Sequence, residues 1–299
     1  MKTIIIGASG VIGYELFLEL KKKNKNVVGT YNYNKKKRLI KFDIKKDNII
    51  KKIKIAKSDK VVLLTAISNP TWVYANSKFS KSINVTATKK IIDHLKFIGC
   101  KVYFMSSIEV FDGKKGNYDE NSVPRPLNLY GKQKFYIENY IKKNLKNYCI
   151  IRTSFIVAKN PNQRCPVKLT FDSLLKPKAK MATDNFFAIT YIHDLCQIMI
   201  KLIFNKKLQH LKICHLSSKE KISRIQLARY IIKFSKLKSR MSFKPTLFRY
   251  IKYSEPRGRK NNLISLNSII NKFKYKSAEV VIKKKIKIIE KTYEANYSK

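Results

Sequence analysis

Thr3-Ile4-Ile5-Ile6-Gly7-Ala8-Ser9-Gly10-Val11-Ile12-Gly13-Tyr14-Glu15-Leu16-Phe17-Leu18-Glu19-Leu20 is the stretch from which the rest of the chain is read. The β-branched run Thr3 to Ile6 predicts a buried parallel strand. A G-x-x-G-x-x-G turn follows, and Tyr14 to Leu20 reads as a helix. Glycines at such a junction allow a tight turn, close approach of the backbone to a pyrophosphate, and close helix–strand packing. The helix N-terminus then offers unpaired N–H groups and a positive dipole end to phosphate. Glycines punctuate many turns, so the context decides. A strand precedes, a helix follows, and another apolar run comes at Val27-Val28-Gly29-Thr30-Tyr31. The stretch predicts dinucleotide binding at Gly7, Ser9, Gly10, Val11, Ile12 and Gly13.

The end of the second strand bears on which dinucleotide. An NAD site usually carries Asp or Glu here, ~20 residues past the glycines, to hold the adenosine ribose. This chain has Tyr31-Asn32-Tyr33-Asn34 and then Lys35-Lys36-Lys37-Arg38. The missing acid and the waiting cations, Lys35 first, favour NADP(H) over NAD(H). Asp43 and Ile44, after Ile40-Lys41-Phe42, suit an adenine contact at the end of a third strand. A plain loop carboxylate or helix cap is the alternative for Asp43.

The composition is otherwise ordinary except for charge. Of 299 residues, 65 are Lys or Arg and 19 are Asp or Glu, giving +46. Hydrophobic residues at 44% exclude a disordered or collagenous chain. The lysines fall in almost every segment, mixed with Asn and Ile rather than gathered with aromatics on one face. That distribution reads as solvated surface and not as a nucleic-acid interface. No apolar run is long enough to span a bilayer. Cys100, Cys149, Cys165, Cys196 and Cys214 are scattered and form no C-x-x-C, so no disulfide framework or metal site is expected and a reducing cytoplasm is.

Val61-Val62-Leu63-Leu64-Thr65-Ala66 and Val102-Tyr103-Phe104-Met105 read as further strands, with one long helical stretch from about 76 to 98 between them. Alternation of this kind implies an α/β protein with a doubly wound parallel sheet, whose ligands lie at the carboxyl ends of the strands. Ser106-Ser107 stands at one such end. Downstream, Tyr130 and Lys134 form Y-x-x-x-K, and i, i+4 spacing puts both on one helix face. A free tyrosine titrates near pH ~10, and a neighbouring ammonium favours its phenolate. The expected catalytic set is Ser107 to orient a carbonyl, Tyr130 to supply the proton, and Lys134 to lower the pKa of Tyr130.

From Met105-Ser106-Ser107-Ile108-Glu109-Val110-Phe111-Asp112-Gly113 through Pro126-Leu127-Asn128-Leu129-Tyr130-Gly131-Lys132-Gln133-Lys134, the chain resembles the extended short-chain dehydrogenase/reductases, in particular the dTDP-4-dehydrorhamnose reductase family. The resemblance implies a Rossmann-type doubly wound sheet over 1–158, with a smaller C-terminal α+β substrate domain over 159–299 and a return to the core at 186–208. It implies cofactor contacts at Thr65, Ala66, Asn84, Tyr130 and Lys134, and substrate contacts at Ser107, Glu109, Arg152 and Arg257. The implied activity is NAD(P)H-dependent reduction of a nucleotide-linked 4-keto sugar in surface polysaccharide synthesis. Its partner would be the nucleotide sugar, with no specific nucleic acid and no membrane, and a homodimer stays open. Weaker likenesses reach Ala188-Ile189-Thr190-Tyr191-Ile192-His193-Asp194, Cys214-His215-Leu216 as a strand of the substrate domain, and Pro256-Arg257, with His193 and His215 read as structural.

The chain also departs from that family's pattern. Ile108 stands where the reductases carry Asp, and Ser107-Ile108-Glu109 replaces the Thr-Asp-Glu of sugar-nucleotide dehydratases, which disfavours dehydration. An epimerase with tightly held NAD and a non-catalytic regulatory subunit are the remaining alternatives.

Overall fold

The computed structural model describes residues 1–297, with side chains through Tyr293. The strands are β1 Thr3–Ile6, β2 Val27–Tyr31, β3 Leu39–Lys41, β4 Lys60–Leu63, β5 Lys101–Met105, β6 Tyr148–Arg152 and β7 Phe155–Val157. They continue as β8 Lys180–Ala182, β9 Phe186–Tyr191, β10 Ile213–His215, β11 Lys221–Ser223, β12 Lys244–Thr246 and β13 Lys260–Asn261. Seven of them form one sheet in the order β10-β6-β5-β4-β1-β2-β3, and every neighbouring pair is parallel. The chain winds outward from β1 through β2 and β3, then crosses back to β4. The order reverses there, and a crevice opens beyond the carboxyl ends of β1 and β4.

Both faces of this sheet are covered, so its strands are apolar throughout. Period-two alternation sends neighbours to opposite cores. Ile5 packs with Leu16, Leu20, Leu195 and Met199. Ile4 and Ile6 pack with Ile91, Ile92, Ile137 and Ile141. Each such fully buried aliphatic side chain contributes about 1.5–3 kcal/mol. Helix Val11–Lys22 lies on the first face beside helix Ile192–Phe204, and Gln197 Nε2 donates to Glu19 Oε2 at 2.7 Å. Helices Thr88–Ile98 and Leu129–Asn144 lie on the second face.

A smaller sheet stands over the crevice. Its centre is β9, flanked by antiparallel β11 and by parallel β13 and β7. Helices Pro166–Leu174, Arg224–Phe234 and Ala278–Tyr297 pack together beside it. Two details differ from the sequence reading and a third refines it. The stretch Cys214-His215 belongs to β10 at the edge of the large sheet, not to the substrate half. Of the segment 186–208, β9 joins the small sheet and only the helix returns to the large one. The helical stretch expected over 76–98 is one uninterrupted run from Ser77 to Ile98 that passes through a π turn at Ser82–Ala87. β10 is three residues long, too short for periodicity to assign its sheet.

Candidate active site

The glycine turn takes the shape the sequence predicts. Gly7 has φ +90°, and a Cβ there would lie 2.7 Å from Thr65 Oγ1. A Cβ on Gly13 would lie 2.3 Å from the carbonyl oxygen of Gly7. The turn is clamped from β2, since Gly7 N–H donates to Thr30 Oγ1 at 3.0 Å and Ser9 N–H to Thr30 O at 3.2 Å. Gly10 caps the helix Val11–Lys22 with no side chain across its first turn. The result is a bare backbone cradle at a helix N-terminus, which fits a dinucleotide pyrophosphate. Sequence reasoning missed Thr30, whose hydroxyl sets the turn.

The cradle opens into a cleft of about 610 Å³ between the two sheets. Its large-sheet wall carries Gly7, Gly10 to Gly13, Ala66, Ser107, Glu109, Tyr130 and Lys134. Thr65 sits behind, against Gly7. Asn84 is different. Its Oδ1 accepts from Ile67 N–H at 2.8 Å, and its Nδ2 donates to Ile67 O at 3.0 Å and Gln133 Oε1 at 2.8 Å. Every polar atom of Asn84 is therefore spent on shaping the loop after β4, from within the π turn. Asp43 Oδ1 caps its own turn by accepting from Lys45 N–H at 2.8 Å, the plain loop role, and Ile44 is buried in the second core. Near the end of β2, Tyr31 lies under Lys41 Nζ at 5.5 Å. Lys35 is exposed, whereas Lys36 packs over the Tyr14 ring of the first helix at 5.3 Å. Lys36 is thus held against the helix that follows the glycine turn.

Helix Leu129–Asn144 presents Tyr130, Lys134 and Glu138 on one buried face. Asn128 caps it by accepting from Gly131 N–H at 2.9 Å. The Tyr130 hydroxyl faces the Ser107 side chain on the cleft wall, and Ser107 Oγ accepts from Glu109 N–H at 3.2 Å. Burial holds the Tyr130 phenol above its usual range and Glu109 adds to this, so the expected lowering by Lys134 is overturned. The Lys134 ammonium instead donates to Met105 O at 2.8 Å and lies over Phe104 at 4.7 Å. Burial pulls its pKa down to about 8. Burial likewise raises the Glu109 carboxyl, opposed by its bond from Asn128 Nδ2 at 2.6 Å.

Two arginines predicted to meet substrate part company. Arg152 is 1% exposed and faces the interior. It grips Glu138 through Nε–Oε1 at 3.0 Å and Nη2–Oε2 at 2.7 Å, while Ser106 Oγ donates to the same Oε1 at 2.5 Å. It is a structural ion pair. Its side chain leaves β6 on the side of helix Leu129–Asn144 and is not among the residues lining the cleft. Arg257 does line the cleft, pairs with Glu255, and donates to Thr71 Oγ1 at 3.2 Å, while its buried Nε has no partner. Opposite it stands Arg224, which the sequence reading missed. Arg224 donates to Thr170 Oγ1 at 3.3 Å and Asn185 Oδ1 at 3.4 Å and stacks on Phe187 at 4.5 Å. Burial and then the like charge of Arg257 lower its proton affinity. The signal available was its place just after the Ser223 cap of a helix, whose capping box with Gln226 is formed.

The sequence reading names no metal ligands. Away from the cleft, Glu15, Glu19 and His193 bring three possible ligand atoms within 4.8 Å of one another. Lys22 and Gln197 already hold the two oxygens of Glu19, at 2.9 and 2.7 Å.

Residues 1–276 match the model of a family described as the RmlD substrate binding domain. The chain belongs to this family. Its relatives include the protein named methionine adenosyltransferase 2 subunit beta of Xenopus tropicalis, 24% identical over 76% of this chain and 70% of that one. A dTDP-4-dehydrorhamnose reductase of Bacillus anthracis in complex with NADP superposes with a TM-score of 0.76 at 22% identity, covering 94% of this chain and 97% of that one. A UDP-glucuronic acid 4-epimerase of Bacillus cereus in complex with NAD gives 0.77 at 19%, covering 98% of each. Likeness at that identity establishes the RmlD-type fold. In that fold the glycine cradle and Ser107, Tyr130 and Lys134 lie together on one wall of the cleft.

Proposed function

We propose that the chain is an NAD(P)H-dependent reductase of a nucleotide-linked 4-keto sugar. The observation that carries this reading is the Ser107–Tyr130 hydroxyl pair on the cleft wall beside the glycine cradle. Bound NAD(P)H supplies a hydride. Ser107 and Tyr130 direct their O–H groups at the ketone oxygen, and Tyr130 transfers its proton there as the oxygen becomes basic. The raised proton affinity of Tyr130 keeps that proton in place until it is needed. Lys134 uses one N–H on Met105 O and has others for the ribose hydroxyls of the cofactor. Arg224 and Arg257 across the cleft suit the diphosphate of a nucleotide sugar.

The cation run Lys35 to Arg38, with Lys36 on the first helix, supports a preference for NADP(H). We place the reaction in the cytoplasm, within surface-polysaccharide or deoxysugar synthesis. Among the described residues no helix is long and apolar enough to cross a membrane.

A second reading is a partner-binding subunit that keeps the fold, favoured by the name of the Xenopus relative. One experiment separates them. Purified protein is given NADPH or NADH with dTDP- and UDP-linked 4-keto sugars. Cofactor oxidation only when sugar is present supports the reductase. Cofactor binding without turnover, together with association with methionine adenosyltransferase, supports the subunit. Tightly held NAD with sugar conversion and no net oxidation identifies an epimerase.

A further inference from the structure

We infer that Glu109 gives this cleft a second reaction, exchange of the proton on the carbon next to the substrate ketone. The inference rests on the ketosugar reading above and adds an activity that reduction does not need.

Reduction of a ketone uses one proton donor, and Tyr130 fills that role. Glu109 is then not needed as a proton donor: it is a carboxyl only 8% exposed, in the wall of the same cleft. The backbone carbonyl of Glu109, not its side chain, is what meets Gly131. A buried carboxyl without an ion pair is costly to keep; among the described residues Asn128 holds this one, at 2.6 Å on Oε2, and the Arg257 charge acts on it only beyond ion-pair distance. No hydrogen bond from the described residues reaches Oε1.

Its placement suits a base. Ser107 and Glu109 share one short turn, Ile108–Val110 with Ser107 as its cap, in which Glu109 N–H donates to Ser107 Oγ. The hydroxyl pair and the carboxyl therefore issue from one rigid element. Asn128, which fixes the carboxyl, also caps the helix that carries Tyr130. Burial raises the proton affinity of Glu109 against the opposing Asn128 bond and Arg257 charge, which makes its carboxylate a better base.

The step balances without a redox partner. With the ketone oxygen held by Ser107 and Tyr130, the Glu109 carboxylate takes the proton from the adjacent carbon. The C–H electron pair becomes a carbon–carbon double bond, and the carbonyl pair moves onto the hydrogen-bonded oxygen. The Glu109 carboxylic acid then returns a proton to the same carbon. In heavy water its proton exchanges with solvent, so the sugar gains deuterium.

The test uses the full chain with NADP+ bound and dTDP-4-dehydrorhamnose as probe, in D2O, read by mass spectrometry. Wild-type protein is expected to add deuterium to the sugar at least tenfold faster than a protein-free control. Glu109→Gln, which keeps a carbonyl oxygen for Asn128, is expected to lower the ratio of exchange to NADPH-dependent reduction at least tenfold. Where that variant fails to bind NADP+, Glu109→Asp replaces it and is expected to slow exchange in the same direction. Reduction by the wild type without exchange above control overturns the inference and leaves the reductase reading standing. Exchange undiminished in the variant also overturns it. Neither reduction nor exchange with the wild type overturns the reductase reading and the inference with it.

Discussion

A Cβ on Gly131 would lie 1.9 Å from the carbonyl oxygen of Glu109. Helix Leu129–Asn144 thus begins in direct backbone contact with the turn that carries Ser107, one residue from Tyr130. Gly131→Ala must push the two apart. A displacement of ~1 Å at a reacting group costs about a hundredfold in rate, so kcat/KM should fall at least that far, with a lowered Tm. Wild-type turnover in Gly131→Ala would show that the contact does not set the geometry.

Tyr130→Phe removes the proton donor and leaves the cradle, the cleft and Lys134 in place. General acid catalysis contributes about 10²–10⁴-fold, and kcat should drop within that range. NADPH affinity, measured by fluorescence titration, should stay within a few-fold of wild type.

Arg152 and Arg224 carry the same charge and should fail differently. Arg152→Met leaves the fully buried Glu138 without its partner, and loss of one member of such a pair costs about 3–5 kcal/mol. Denaturant unfolding should show that loss, with KM for the sugar unchanged in the folded fraction. Arg224→Met should instead raise KM roughly ten- to a hundredfold, as expected for one lost hydrogen bond to a charged group, at little cost in stability.

These contrasts also mark how far the sequence could be read. The glycine turn and the Y-x-x-x-K helix were legible because their chemistry is local: positive φ at Gly7 and i, i+4 spacing of Tyr130 and Lys134 are properties of short segments. Arg152 was misread because nothing local says which side of β6 faces the cleft. Asn84 was placed at the cofactor, though its amide is consumed by Ile67, a partner 17 residues away. Arg224 was missed because its worth depends on β9 and β11 bringing it opposite Arg257. The lowering of Tyr130 by Lys134 failed because burial, invisible in a motif, outweighs a charge turned toward Met105 O.

Stability should peak at mildly alkaline pH. Lys134 titrates at about 8 in the fold against an ordinary 10.5. Between those values the folded protein has released a proton that the unfolded chain keeps, so stability rises with pH. Burial shifts Lys60, Lys101 and Lys285 in the same direction. The opposite applies to Cys100, raised by burial to about 11 from 9.0. There the unfolded chain loses its proton first, and stability falls as pH climbs through that window. Tyr103 and Tyr275, also raised by burial, extend the fall. Calorimetry should find Tm rising by a few degrees from about pH 7 to 9 and declining above about 10. A steady decline from neutrality would contradict these assignments.

The central claim is that Ser107, Tyr130 and Lys134 serve hydride transfer to a sugar ketone in this cleft. The direct measurement supplies NADPH deuterated at the nicotinamide carbon 4, on the transferable face, with dTDP-4-dehydrorhamnose, and examines the sugar by mass spectrometry and NMR. The account predicts deuterium on carbon 4 of a reduced sugar, formed by wild-type protein and lost in Tyr130→Phe. Recovery of unreduced sugar with the label still on the cofactor would contradict it.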